Sequence, residues 1–126
     1  MCFYEALLCR RPRYIDALIV LGEIYTRKGL FAKGLEVDRR LADLKPDNPI
    51  VHYNLACSLS LLGDITAALE AIKKAVRLGY NDFQYMNRDP DLRNLRRDER
   101  FGKFFRQLEP PSPRTGPLAH GRKRKR

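Results

Sequence analysis

The chain has 126 residues, 44% of them apolar, and carries 25 Lys plus Arg against 15 Asp plus Glu for a net charge of +10. That length predicts one small domain with a limited capacity to bury surface, and no apolar run approaches the roughly 20 residues of a membrane-spanning helix. Cys2, Cys9 and Cys57 are an odd number at no recognisable metal spacing, which argues against a disulfide frame and for a reducing compartment, with the cytoplasm expected.

In chain order, the first stretch, MCFYEALLCRR, shows no basic leader ahead of an apolar core, and so predicts no signal peptide. The dominant feature follows it. Residues 15–48 and 49–82 align without a gap at a spacing of thirty-four, bringing Leu21/Leu55, Gly22/Ala56, Gly29/Gly63, Leu35/Leu69 and Leu41/Ala75 into register. A period of this length marks a supersecondary unit that cannot bury its apolar faces alone and must stack on its neighbours.

Within residues 15–48, Leu18, Leu21, Ile24 and Tyr25 recur at helical spacing, Gly29 punctuates, and Leu35, Val37, Leu41 and Leu44 form a second stripe before Pro46. Two antiparallel helices of about a dozen residues are predicted. Gly22 allows the paired helix to approach closely, and Gly29 relieves the turn. Residues 49–82 repeat the plan with Leu55, Ala56 and Leu59 in the first helix and Ala68, Leu69, Ile72 and Ala75 in the second. Asp64 belongs to the turn between them. Upstream, Pro12 stands thirty-four residues before Pro46, so residues 1–12 read as the second helix of an incomplete unit and suggest a fragment of a longer array.

Residues 83–109 predict short closing helices in place of a regular third unit. Asp89-Pro90 is a cap and first-turn pair, Leu92 and Leu95 give one apolar edge, and Phe101, Phe104, Phe105 and Leu108 give another that covers the open end of the stack. After Glu109 the sequence PPSPRTGPLAHGRKRKR offers no core, and residues 110–126 read as a disordered basic tail. Arg114 and Arg122 to Arg126 place six positive charges there, leaving +4 for residues 1–109.

The two units resemble tetratricopeptide repeats. The family pattern has a Leu-Gly pair and an aromatic in the first helix, a small residue early in the second and a proline after it; Leu21-Gly22, Tyr25 and Pro46 match in one unit, Leu55-Ala56, Ala68 and Ala75 in the other. The early bulky aromatic is replaced by Leu18 and His52, the later first-helix aromatic by Leu59, the small opening residue by Gly34, and the closing proline by Tyr80. Residues 83–109 are similar to the closing segment of some bacterial repeat proteins. The resemblance implies an all-α fold, a short right-handed α-solenoid of antiparallel helix pairs over residues 1–109. It also implies a protein or peptide partner on a concave face made by the first helices.

The outward positions expected on that face are Asp16, Ile19, Glu23 and Arg27 in one unit and Ile50, Tyr53, Asn54, Cys57 and Leu61 in the other. Some family members clamp a partner's terminal carboxylate with lysines and asparagines from successive first helices. Asn54 falls at a matching position, but Ile19 and Glu23 stand where a basic group and an asparagine are needed, and Glu23 would repel a carboxylate.

Other sites read as surface or core. Arg88, Arg93, Arg96, Arg97, Arg100, Lys103 and Arg106 are interleaved with Asp89, Asp91, Asp98 and Glu99, which are expected to neutralise much of their field. The run Arg122, Lys123, Arg124, Lys125, Arg126 could meet nucleic acid or another anionic surface by counterion release. His52 sits at a packing position, His120 lies in the tail, and neither has partners for acid/base or metal chemistry. No catalytic residue, metal or cofactor is predicted. The expected role is a noncatalytic interaction scaffold. Self-assembly into a structural module or homo-oligomer is an alternative, as is a nucleic-acid-associated adaptor acting through the tail.

Overall fold

The computed structural model describes residues 15–108; the expected partial-repeat helix at 1–12, Cys2, Cys9 and the basic tail at 110–126 lie outside the described residues. The described chain is all-α. It begins with α1 (Ile15–Arg27), α2 (Phe31–Leu44), α3 (Pro49–Leu61) and α4 (Ile65–Arg77). A closing region follows, made of α5 (Phe83–Met86), a 3₁₀ turn (Pro90–Leu92), α6 (Arg93–Arg96) and α7 (Glu99–Leu108). Successive helices pack on one another, α1 on α2, α2 on α3 and α3 on α4, so the molecule is a solenoid of stacked helix pairs.

Local chemistry sets the ends of these helices. Asn48 accepts hydrogen bonds from the Ile50 and Val51 amides at the start of α3, with Pro49 in the first turn where its missing N–H costs nothing. Asp64 caps α4 through the Ala67 amide, which resolves the capping residue of that turn. At the end of α3, Gly63 adopts φ +85, a left-handed conformation that suits glycine, while the Gly63 and Asp64 amides donate to the Ser60 and Leu59 carbonyls. Gly29 closes α1 in the same way.

The thirty-four-residue register continues into the closing region. Asp82 and Asp98 cap α5 and α7 at the positions that Asn48 and Asp64 hold one period earlier, and α7 starts one period after α4. Gly34, Ala68 and Gly102 occupy one equivalent position near the start of three second helices. Only the first helix of this third unit departs, being broken at Asp89-Pro90. Asp89 is extended, as the residue before a proline must be, and its carboxylate caps a new 3₁₀ turn through the Asp91 amide. The expected short helices are therefore a third unit with an interrupted first helix.

The core falls into two clusters. Ala17, Leu18, Leu21, Val37, Leu41 and Val51 join α1, α2 and the edge of α3. The larger cluster runs from Tyr53, Ala56 and Leu59 through Leu69, Ile72 and Ala75 to Met86, Leu92, Leu95 and Phe101. Between α2 and α3 lies a buried polar contact, Ser58 Oγ donating to Asp38 Oδ2 at 2.5 Å. Close approach of α1 to α2 depends on Gly22, where an added Cβ would meet Val37 Cγ1 at 3.3 Å.

Gly22→Leu is expected to lower stability by about 1–3 kcal/mol through overpacking. Gly22→Ala should be near neutral, because alanine is a better helix former by about 1 kcal/mol and adds one tight contact. Urea midpoints of the two variants check this.

Candidate functional site

Residues Asp16, Ile19, Glu23 and Arg27 follow one another at three- and four-residue spacing and so share a face of α1. All four are exposed, Ile19 to 41%. One period later, the same stripe on α3 is Ile50, Tyr53, Cys57 and Leu61, with Asn54 beside Tyr53. Here the outcome differs along the helix. Ile50 is 40% exposed, while Asn54 and Leu61 are half-buried. The Asn54 Oδ1 atom is buried and has no hydrogen-bond partner among the described residues.

Tyr53 and Cys57, expected to face outward, are interior residues at 0% and 4% exposure. The break at Asp89-Pro90 is the reason. It turns the closing region across α3, so that the Tyr53 hydroxyl donates to Asp89 Oδ2 at 2.6 Å and Cys57 Sγ lies 3.7 Å from the same oxygen. The Tyr53 ring stacks on Tyr80, centroid to centroid 4.2 Å. Further hydrogen bonds hold the segment down. Asn94 Nδ2 donates to the Ser60 carbonyl, the Leu95 amide to Ser60 Oγ, and Arg96 Nη1 to the carbonyls of Met86 and Asp89.

Asp89 at 1% exposure is thus an internal acceptor, its second oxygen taking the Asp91 amide. Sequence reasoning identified it as a cap and missed its role as Tyr53's partner. A signal existed, since Asp89 stands at the register position of Leu21 and Leu55, where a charged side chain has no place unless something buried needs it. The possible ligand atoms of Cys57, Asp89 and Asp91 lie within 4.8 Å of one another. Both Asp89 oxygens already accept protein donors, so this group acts as a hydrogen-bonded latch.

Burial pushes the Tyr53 phenol far above its ordinary range, and nearby Cys57 and Asp89 add to the effect. Burial likewise raises Tyr80, whose hydroxyl sits in no normal hydrogen-bond geometry among the described residues. Both shifts favour the protonated phenol in the fold. His52 is buried, its Nε2 2.8 Å from the Pro46 carbonyl oxygen, in accord with a packing role. A shallow depression lined by residues 44–49 lies at the connection between units. No described helix is long and apolar enough to cross a membrane. The run Arg122 to Arg126 lies outside the described residues.

Comparison with known proteins agrees with this architecture. Residues 50–79, which span α3 and α4, match the family described as Tetratricopeptide repeat. The chain is also similar to a chloroplastic protein of Arabidopsis thaliana, 31% identical over 91 residues. That alignment covers 70% of this chain and 27% of the Arabidopsis protein, so the chain matches about a quarter of that relative's length.

Two outcomes test the latch. Asp89→Ala should cost about 2–3 kcal/mol by leaving the Tyr53 hydroxyl unsatisfied and uncapping the 3₁₀ turn. In a double-mutant cycle with Tyr53→Phe, the coupling should reach about 1 kcal/mol. Stability should also fall as pH rises above about 10, because both phenols then ionise only in the unfolded chain, which binds fewer protons. Tyrosinate absorbance assigned to Tyr53 and Tyr80 by Phe substitution should appear only with unfolding.

Proposed function

The chain belongs to the tetratricopeptide-repeat family, and from that premise we propose that it is a noncatalytic scaffold that holds a protein or peptide partner on the face made by its first helices. The observation that carries this reading is the pair of isoleucines, Ile19 on α1 and Ile50 on α3, each about two-fifths exposed on first helices of successive units. Burying them against an apolar partner side chain contributes about 25 cal/mol per Å², before ordering costs.

The site is narrower than the sequence alone implied. Asp16, Ile19, Glu23, Arg27 and Ile50 are exposed, Asn54 and Leu61 are half-buried, and Tyr53 and Cys57 are interior. A partner in this groove meets α1 chiefly, with α3 contributing its amino-terminal turn.

The test is a peptide array scored for binding to the full chain, followed by anisotropy titration of the best segments. Ile19→Asp with Ile50→Asp should weaken binding at least about tenfold, through loss of roughly 1.4 kcal/mol or more of apolar contact. Its melting temperature should stay close to that of the parent chain because both positions are exposed. Undiminished binding by this variant would remove the groove from consideration. Light scattering across a concentration series, with the full chain and one ending at Glu109, separates peptide capture from self-assembly.

A further inference from the structure

Two leucines stand off the repeat pattern. Leu30, 44% exposed, occupies the N-cap position of α2 and makes no capping hydrogen bond, whereas Asp64 and Asp98, one and two periods later, cap α4 and α7. Leu62, 43% exposed, follows α3 at the position that Lys28 and Arg96 hold in the other units. Each is an apolar residue in a turn where its repeat equivalents are charged. A single exposed leucine is ordinary. A leucine that also forgoes a helix cap costs the fold stability, and such departures from local rules are expected where a surface is used.

Both leucines lie on one edge of the solenoid. Short turns make α1 and α3 antiparallel to α2, so both first helices end at the same edge. A Cβ built on Gly34, near the start of α2, would lie 3.8 Å from Tyr25 Cβ on α1 and 3.9 Å from Ser58 Oγ on α3. The turn that carries Leu30 is therefore next to the end of α3 that carries Leu62. The third turn joins the row, because Arg100 Nη1 at the start of α7 donates to Thr66 Oγ1 at the start of α4, at 3.1 Å.

Positive charge gathers at this edge. Residues 27–33 contain Arg27, Lys28 and Lys33, all exposed, and no acid. The equivalent residues 61–67 contain Asp64 alone, and residues 95–101 contain Arg96, Arg97 and Arg100 against Asp98 and Glu99. In that third turn Arg100 is paired with Asp98 and Arg96 serves backbone carbonyls, so the excess sits in the first turn, beside the leucines. At the opposite edge, residues 44–50 and 78–84 hold Lys45 against Asp47 and Asp82. From this arrangement we infer that the turn edge docks the protein on an anionic lipid surface, with Leu30 and Leu62 entering the headgroup layer and Arg27, Lys28 and Lys33 meeting lipid phosphates.

Peripheral attachment combines buried apolar area with attraction of cations to anionic headgroups, while the stems of lysine and arginine lie along the apolar boundary. Turn tips suit a flat surface. Leu30 and Leu62 stand beside the exposed Gly29 and Gly63, where a peptide would find no walls to enclose it. Asp64 is the one opposing charge in the first two turns. The inference is independent of the groove reading. Ile50 lies twelve residues before Leu62 on the same helix, about 18 Å away at 1.5 Å per residue, so a bilayer at the turns and a partner at Ile19 and Ile50 do not compete.

The probe is a vesicle of equimolar phosphatidylcholine and phosphatidylserine, with phosphatidylcholine alone as reference, and the full chain is followed by flotation and fluorescence. The chain has no tryptophan, so Leu62→Trp reports on that turn alone. Its emission should shift to the blue on the mixed vesicles and stay unchanged on the reference. Leu30→Asn with Leu62→Gln leaves the net charge at +10 and should weaken vesicle binding about tenfold. The urea midpoint of that variant should hold or rise, because Asn supplies the missing cap; a purely structural role for the leucines requires a fall. Lys28→Gln with Lys33→Gln should weaken binding about twentyfold, and less as salt is added. Undiminished binding by the leucine variant, or no blue shift from Leu62→Trp, would overturn the inference. So would binding that survives both edge variants and disappears when Arg122 to Arg126 are replaced by glutamine, which assigns it to the tail. Capture of a labelled peptide of alternating Glu and Leu that the leucine variant loses, without vesicle binding, would overturn it in favour of an acidic protein segment.

Discussion

Helix α3 has no bare face, and the rest of the molecule is arranged to keep it covered. Its thirteen residues include no acid and no Lys or Arg, and eight of them are buried: Val51, His52, Tyr53, Ala56, Cys57, Ser58, Leu59 and Ser60. A helix apolar around most of its circumference is stable in water only inside a structure. Helix α2 covers one side, α4 another, and the closing region a third. The single turn that escapes is the first, where Ile50 is exposed.

Covering α3 forces polar groups indoors, and the fold supplies most of them with a partner. Ser58 meets Asp38 across the boundary between units, Ser60 accepts the Leu95 amide through its hydroxyl and Asn94 through its carbonyl, and Tyr53 gives its proton to Asp89. These contacts are worth little beyond the hydration that they replace, yet losing one partner leaves the other buried and unsatisfied. They consequently act as positioning devices. Apolar packing would tolerate several placements of the closing region, whereas a phenol and a carboxylate 2.6 Å apart fix one. The same latch takes Asp89 off the surface, to 1% exposure.

Much of this was legible in the chain. The period between Leu21 and Leu55 gave the stacking unit, the glycines at 29 and 63 the turns, and Asp89-Pro90 a helix start. The open stripe on α1 also lay where the spacing of Asp16, Ile19, Glu23 and Arg27 put it. The equivalent stripe on α3 did not stay open. Sequence periodicity assigns a residue to a face of its own helix, and cannot say whether a segment thirty or more residues away will lie against that face.

The sequence by itself determined which elements form and how they repeat, because caps, left-handed glycines and helical periodicity act within a few residues of one another. It also determined the absence of charge along Pro49 to Leu61. The tertiary structure decided that Tyr53 and Cys57 are core and that Ile19 and Ile50 are surface. It also showed that Asp89 serves the interior, where its partners stand thirty-six and thirty-two residues before it. Those outcomes depend on the path of the chain after Pro90, and that path is set by contacts between residues far apart in sequence, where a buried carboxylate is stable only if the fold brings its donors to it.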